Sequence, residues 1–404
     1  MVQKAPLRIL VYLTGGMHWM GGVQYTRNLL RAVVSLPPDE RPEIVLQIGR
    51  INMGHGYEEE FSNYPGVVID GPRFASDELT HGIIRRLRRV WGHAFGREMP
   101  GKLLRSDDCD VAFPAKGPNI PGPAQKVYWV PDFQYKHFPE FFSEQERQQR
   151  DITYDRMFSE TGILVLSSEA AREDFSRFFP RFAEKDVRVL HFVTTLQEED
   201  FAPNPKETCA RYGLPEKFAY LPNQMWQHKG FDTAFKALAL LKDQGIEIPL
   251  VCTGNEVDYR TDVHTRELHE LIAAGRLAGN IFMLGLLSRK DQLQIFRCAA
   301  LILQPSRFEG WSTAVEDARA LGRPIVLSDI PVHLEQDPPH ATFFATGDAK
   351  DLSTRLASAW TIASPGPDPE RETAAREAGL VASHTYGRRF LSIMGAASSA
   401  ASTP

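Results

Sequence analysis

The densest run of residues able to do chemistry lies at positions 304–328, QPSRFEGWSTAVEDARALGRPIVLSD. It reads as a strand end, a polar loop and a helix opening near Ser312, stopped by Gly322 and Pro324 before the next strand. Thr313 and Glu316 have the T-x-x-E spacing of a capping box, which would seat the first turn and leave the backbone N–H groups of Gly310, Trp311 and Ser312 pointing forward. Donors gathered at the positive end of a helix attract an anion, typically a phosphate. A second place of this kind is the front of the chain, where RILVYLT runs into GGMHWMGGVQYTRNLLRAV. Gly21 and Gly22 there let backbone approach a ligand closely, and a tight strand-to-helix turn would use them equally well. The motif is not G-x-G-x-x-G, so a dinucleotide gains nothing from it. Metal chemistry is not signalled. Asp108, Cys109 and Asp110 imitate a D-x-D triad but directly precede the apolar VAFPA, a strand entrance, and the four cysteines are scattered without a C-x-x-C pair.

These segments need elements to hold them. Short β-branched runs alternate with helical patterns from RILVYLT through EIVLQIG, VYWVPD and GILVLSS to VRVLHF, and the rhythm restarts at FAYLPN and runs to RPIVLSD. Alternation of this kind predicts an α/β chain with two Rossmann-like, doubly wound halves. We place an N-terminal domain at 1–195, a C-terminal domain at 196–370, and a last helix with a disordered tail at 371–404. The hinge is the aperiodic, acidic and proline-containing segment at 194–205. A chain of 404 residues with 46 basic and 51 acidic side chains, net −5, is not balanced like a nucleic-acid binder, and none is expected as partner. No apolar run is long enough for a signal peptide or a membrane span, and with the unpaired cysteines this suggests a cytoplasmic protein. IIRRLRRVWGHAF sets Arg85, Arg86, Arg88 and Arg89 beside an apolar stripe. That is either a solvated basic face or a surface for an anionic membrane, which would make the protein peripheral on the inner face of the cell membrane.

The string PSRFEGWSTAVEDARALGRPIV resembles the donor-binding signature of retaining glycosyltransferases of the GT-B fold, the large bacterial family four. Aligned on Gly322 and Pro324, the first acid of the family pattern is Glu309. The second falls on Asp317, where glutamate is usual. Glu316 is adjacent, but neighbours on a helix point about 100° apart, so only one of the two can face a nucleotide, and we favour Asp317. NQMWQHKGFDTAFKAL resembles the family's R-x4-K-G segment, with Lys229 and Gly230 in place and Gln224 where arginine is usual. FMLGLLSRKDQLQIF resembles the loop whose backbone reads the nucleobase, around Gly285, Leu286 and Leu287. Gly21 and Gly22 fall on the glycine-rich turn that approaches the donor diphosphate from the other domain.

The resemblance implies a sugar transfer from a nucleotide diphosphate sugar, UDP- or GDP-linked, to a hydroxyl on a saccharide or lipid-linked acceptor. It implies retention of configuration, no metal and no cofactor beyond the nucleotide-sugar as co-substrate, and a place in cell-surface polysaccharide or glycolipid synthesis. Lys229 and the amides near Gly22 and over residues 310–313 would meet the charge developing on the leaving diphosphate. Glu309 would contact donor-sugar hydroxyls, Asp317 would accept from the ribose, and Gln224, Trp311, Ser312 and Thr313 would complete the donor side. In the loop PDFQYKHFPEFF, Asp132 and His137 fall where the family carries a His or Asp beneath the donor sugar. Asp132 is the first choice, His18 a third acceptor-side candidate. After Pro131 an aspartate could equally make an Asx turn, and His137 could pack on Phe138. Two alternatives stay open: a silent sugar-nucleotide-binding protein, because Gln224 and Asp317 depart from the pattern, and a sugar-nucleotide epimerase or phosphorylase of the same fold.

Overall fold

The computed structural model describes residues 6–16, 19–49, 52, 55–70, 109–115, 125–256 and 263–400. Two parallel sheets organise them. The first contains β1 (Arg8–Tyr12), β2 (Glu43–Gln47), β3 (Val67–Asp70), β4 (Val111–Ala115), β5 (Gln125–Val130), β6 (Ile163–Leu166) and β7 (Val187–Val189), in the order β3-β2-β1-β4-β5-β6-β7. The second contains β8 (Ala219–Leu221), β9 (Leu250–Cys252), β10 (Ile281–Met283), β11 (Leu301–Gln304), β12 (Ile325–Ser328) and β13 (Ala341–Phe344), in the order β10-β9-β8-β11-β12-β13. All strand pairs are parallel. Strands in both sheets are largely apolar because helices cover both faces: ILVL of β6 is buried throughout, as is LILQ of β11, whose last residue alone is polar. The expected α/β architecture of two doubly wound sheets is what the chain adopts.

Each sheet reverses its winding between its first and fourth strands, β1 beside β4 and β8 beside β11. Ligands of such sheets bind outside the carboxyl ends of the strands at that reversal. The loops after β1, β8 and β11 stand at those reversals, with the loop after β5 next to them.

Two expectations change. The segment at 194–205 does cross between the sheets, but it carries a short helical turn, Glu198–Phe201, with Pro205 already opening the next helix. The tail GAASSAASTP reads as disordered by composition, yet one helix runs from Pro369 to Ala400, and residues 401–404 lie outside the described residues. Its face of Tyr386, Phe390, Ile393, Met394 and Ala397 recurs every three to four residues and enters the core of the first sheet. Burial of that stripe holds a small-residue end helical where composition alone gives no reason. The arginines at 85, 86, 88 and 89 lie outside the described residues. Among the described residues no helix is long and apolar enough to cross a membrane.

Candidate active site

The carboxyl ends of the two sheets enclose a cleft of about 290 Å³, lined from both sides. One wall comes from the loops after β1 and β5, with Trp19, Gly21 and Asp132. The other comes from the loops after β8 and β11, with Gln224, Lys229, Glu309 and Asp317.

Lys229 ends a single 3-10 turn, and Gly230 follows at φ +71°. A Cβ there would stand 2.0 Å from the Pro305 carbonyl oxygen, so only glycine lets the loop after β8 lie against the loop after β11. That approach brings Lys229 to Glu309. Its ammonium donates to both carboxylate oxygens, at 2.8 and 2.9 Å. Glu309 Oε1 also accepts from Gln304 Nε2 at 2.9 Å and from Ser306 Oγ at 2.7 Å. Gln304 is wholly buried at the end of β11 and donates further to Ser312 Oγ at 3.0 Å, so it splints the loop to the helix Thr313–Ala320. The sequence reading missed Gln304. Its signal was a polar residue closing an otherwise apolar strand.

At that helix start the capping box is absent. Ser312 is the N-cap residue and its own side chain does not cap the turn. Glu316 turns away from the cleft and is held by Gln336 Nε2 at 2.9 Å, and burial pushes its carboxyl above the ordinary range. Gln336 also takes the Ser312 N–H at 3.2 Å, which removes one of the three amides expected to face forward. A side chain twenty residues downstream outcompetes the local partner because the buried amide satisfies both ends of the turn at once. The N–H groups of Gly310, Trp311 and Thr313 meet no partner among the described residues.

Asp317 does line the cleft, but its carboxylate is occupied. Arg289 forks onto it at 2.6 and 2.7 Å, and Thr194 Oγ1, from the crossing segment, donates to Oδ1 at 2.7 Å. Three of its four lone-pair positions are filled and the guanidinium is the more exposed member of the pair, so a ribose at this position would meet Arg289 as well as Asp317. Arg289 escaped the sequence reading although it sits two residues past Leu287, because nothing local marks its partner. Leu286 and Leu287 line the cleft. Gly285, at φ +66°, does not line it and accepts from Gly254 N at 2.8 Å.

On the opposite wall Gly21 and Gly22 form the first turn of the helix Met20–Val34. A Cβ on Gly22 would meet Gly15 N at 2.8 Å, so this glycine serves the close packing of the helix on its own strand end rather than a ligand. Gly21 faces the cleft. Asp132 Oδ1 accepts from Gln134 N at 2.9 Å, the Asx turn, and burial raises its carboxyl above the ordinary range. A Cβ on Gly310 would lie 2.4 Å from the Pro131 carbonyl oxygen, so the two walls touch beside Asp132. His137 points away: its Nε2 is 2.7 Å from Asp174 Oδ2, and its ring packs on Phe178 and Phe308 rather than on Phe138. His18 lies outside the described residues, as does Asp108, while Asp110 Oδ2 accepts the backbone N–H of Arg8 at 2.8 Å, as suits a strand entrance. Trp311 does not reach forward. Its indole crosses to the N-terminal wall, parallel to His191 at 4.3 Å, and donates to the Phe192 carbonyl at 2.9 Å. Among the described residues no three His, Cys, Asp or Glu side chains gather as a metal would require.

No curated protein matches the sequence. Among solved structures, HepE (Alr3699) of Anabaena in complex with UDP and glucose superposes with a TM-score of 0.61 at 13% identity, over 96% of this chain and 99% of that one. Sucrose-phosphate synthase of Thermosynechococcus elongatus superposes with a TM-score of 0.60 at 15% identity, over 96% of each chain. WaaG, a glycosyltransferase involved in lipopolysaccharide biosynthesis, gives 0.53 at 14%, over 97% and 98%. Identities this low speak for the fold. Residues 213–376 match the family described as Glycosyl transferases group 1. The C-terminal part of the chain that carries Lys229, Glu309 and Asp317 is therefore similar to the group 1 glycosyl transferases, and the described residues have the two-sheet GT-B fold of the structures they superpose on.

Proposed function

We propose that this protein transfers a sugar from a UDP- or GDP-linked donor to an acceptor hydroxyl, with retention of anomeric configuration. The observation that carries the reading is the meeting of Lys229 and Glu309 in front of three unpartnered amides, facing Asp132 across the cleft. Breaking the bond between sugar and diphosphate develops negative charge on the leaving phosphate. Lys229 supplies a full positive charge to it, and the N–H groups of Gly310, Trp311 and Thr313 supply fixed dipoles that need no reorganisation. These groups do the work assigned to a metal in other sites, so transfer runs without one. Glu309, freed from part of its contact with Lys229, accepts from donor-sugar hydroxyls and supports positive charge at the anomeric carbon. Asp132 keeps Oδ2 for the reacting face. The acceptor hydroxyl attacks on the face the diphosphate leaves, and its proton passes to the departing phosphate oxygen.

WaaG is named for lipopolysaccharide biosynthesis and HepE was solved with UDP-glucose as well, which supports a role in cell-surface polysaccharide or glycolipid synthesis with a UDP-linked donor. Titration with UDP and GDP, followed by donor hydrolysis without acceptor and by the configuration of the product, tests the reading. An inverted linkage from an α-linked donor rejects retention. One observation favours a silent sugar-nucleotide binder instead: Gln224 lines the cleft where the family pattern carries arginine, so one cation for the leaving diphosphate is missing. Such a protein binds UDP or GDP and releases no sugar from any donor.

A further inference from the structure

The N-terminal wall carries an aromatic stack to which the transfer reading above gives no role. Tyr25, Trp129 and Trp19 stack in sequence, Tyr25 on Trp129 at 4.3 Å and 14°, Trp129 and Trp19 at 6.1 Å and 10°. Trp129 is fixed from the side by its Nε1–H bond to Ser167 Oγ at 3.1 Å. The stack ends at Trp19, whose side chain is 38% exposed and lines the cleft, an unusual exposure for an indole backed by two rings. Beside it stands Gln24, only 7% exposed. Arg27 occupies the Gln24 carbonyl and is itself held by Glu60, which fixes the amide orientation and leaves its N–H donors without a partner among the described residues, on the cleft side. Asp132 adds a carboxylate oxygen on the same wall.

We propose that Trp19 and Gln24 form the acceptor subsite and that its occupant is a pyranose ring, so the acceptor is a saccharide; this rests on the transferase reading above. A pyranose has one face of polarised C–H groups and a rim of hydroxyls. The C–H face suits the negative face of an indole, and the rim can accept from Gln24 and donate to Asp132. An acyl chain would cover the indole but leave the buried Gln24 amide and the carboxylate dry and unsatisfied, which is costly. The stack of three rings holds Trp19 as a rigid shelf, so little side-chain freedom is lost when a ring settles on it. The sugar would then lie against Asp132, with a hydroxyl directed at the donor end of the cleft.

The test is direct binding. Protein saturated with UDP is titrated with methyl pyranosides of glucose, galactose and mannose at tens of millimolar, followed by saturation-transfer NMR, and with a decyl chain carrying no sugar. The expected result is saturable binding of at least one pyranoside, weakened roughly tenfold by Trp19→Ala and by Gln24→Ala and largely restored in Trp19→Phe. Trp19 is exposed enough for the alanine variant to fold, and circular dichroism checks it. Bound UDP without pyranoside binding overturns the proposal, as does pyranoside binding that ignores both substitutions and yields to Glu309→Gln, or binding of the decyl chain alone. Pyranoside binding that depends on Trp19 in a protein that fails to bind UDP or GDP upholds the saccharide subsite and sinks the donor reading.

Discussion

The pairing of Lys229 with Glu309 yields a prediction whose two readouts separate structural from ligand-binding roles. Removing one member of a buried ion pair costs about 3–5 kcal/mol, because the other charge is left uncompensated. Here Glu309 keeps Gln304 and Ser306 as donors and the Lys229 side chain retains 15% exposure, so the lower end, about 3 kcal/mol, applies to Lys229→Met. Glu309→Gln leaves an amide oxygen for the ammonium and costs about 1–2 kcal/mol. Lys229→Met combined with Glu309→Gln removes both charges and costs only about 1–2 kcal/mol in total, a coupling of roughly 3 kcal/mol. Urea unfolding measures these values. UDP affinity follows a different order: it falls about a hundredfold in Lys229→Met and stays low in the double variant, because a charge-assisted bond to phosphate is lost in both. Calorimetric titration reads it. A double variant as unstable as the sum of the singles refutes the pair as a coupled unit, and unchanged UDP affinity in Lys229→Met refutes its role at the diphosphate.

Asp317→Asn weakens UDP binding more than Glu316→Gln, since only Asp317 lines the cleft; the reverse ranking in calorimetry moves the nucleotide contact to Glu316. Gly310→Ala forces a methyl group against the Pro131 carbonyl, so turnover falls and small-angle scattering shows a larger radius of gyration; wild-type behaviour in both would mean the walls need not touch. His333 is wholly buried, with Nδ1 3.0 Å from the Ser328 carbonyl and Nε2 without a partner among the described residues, and burial pulls it down to about 4 from 6.5. A depressed histidine binds fewer protons folded than unfolded. Its contribution is complete above pH 6.5 and declines as pH falls toward 4, by about 3 kcal/mol at most. His333→Asn flattens that part of the stability profile, and equal slopes in the two proteins disprove the assignment.

Much of the architecture was legible, and for a definite reason. Apolar runs such as LILQ and IVLS read as strands because burial on both faces demands them, and their alternation with helices leaves few other topologies. The place of the cleft follows from the same pattern, since loops after strands at a winding reversal must meet there. Gly230 is a case where a motif residue has a local cause that the sequence could not reveal: the carbonyl it makes room for belongs to Pro305, in another loop.

The errors share a cause. Thr313 and Glu316 were read as a capping box because spacing ranks partners along one helix, and it could not see Gln336 arriving from the next helix to satisfy both Ser312 and Glu316. Spacing is equally silent on what else Asp317 touches. Its partners Arg289 and Thr194 lie 28 and 123 residues away, the latter across the two sheets. The bond from Thr194 gives this carboxylate a consequence that a local reading lacks. Any ligand that draws Asp317 Oδ1 away from Thr194 must repay a buried hydroxyl for the loss, so nucleotide contact at this position bears on how the crossing segment is held. A carboxylate that touches both the nucleotide wall and the crossing segment cannot change partners on one side without altering the balance on the other.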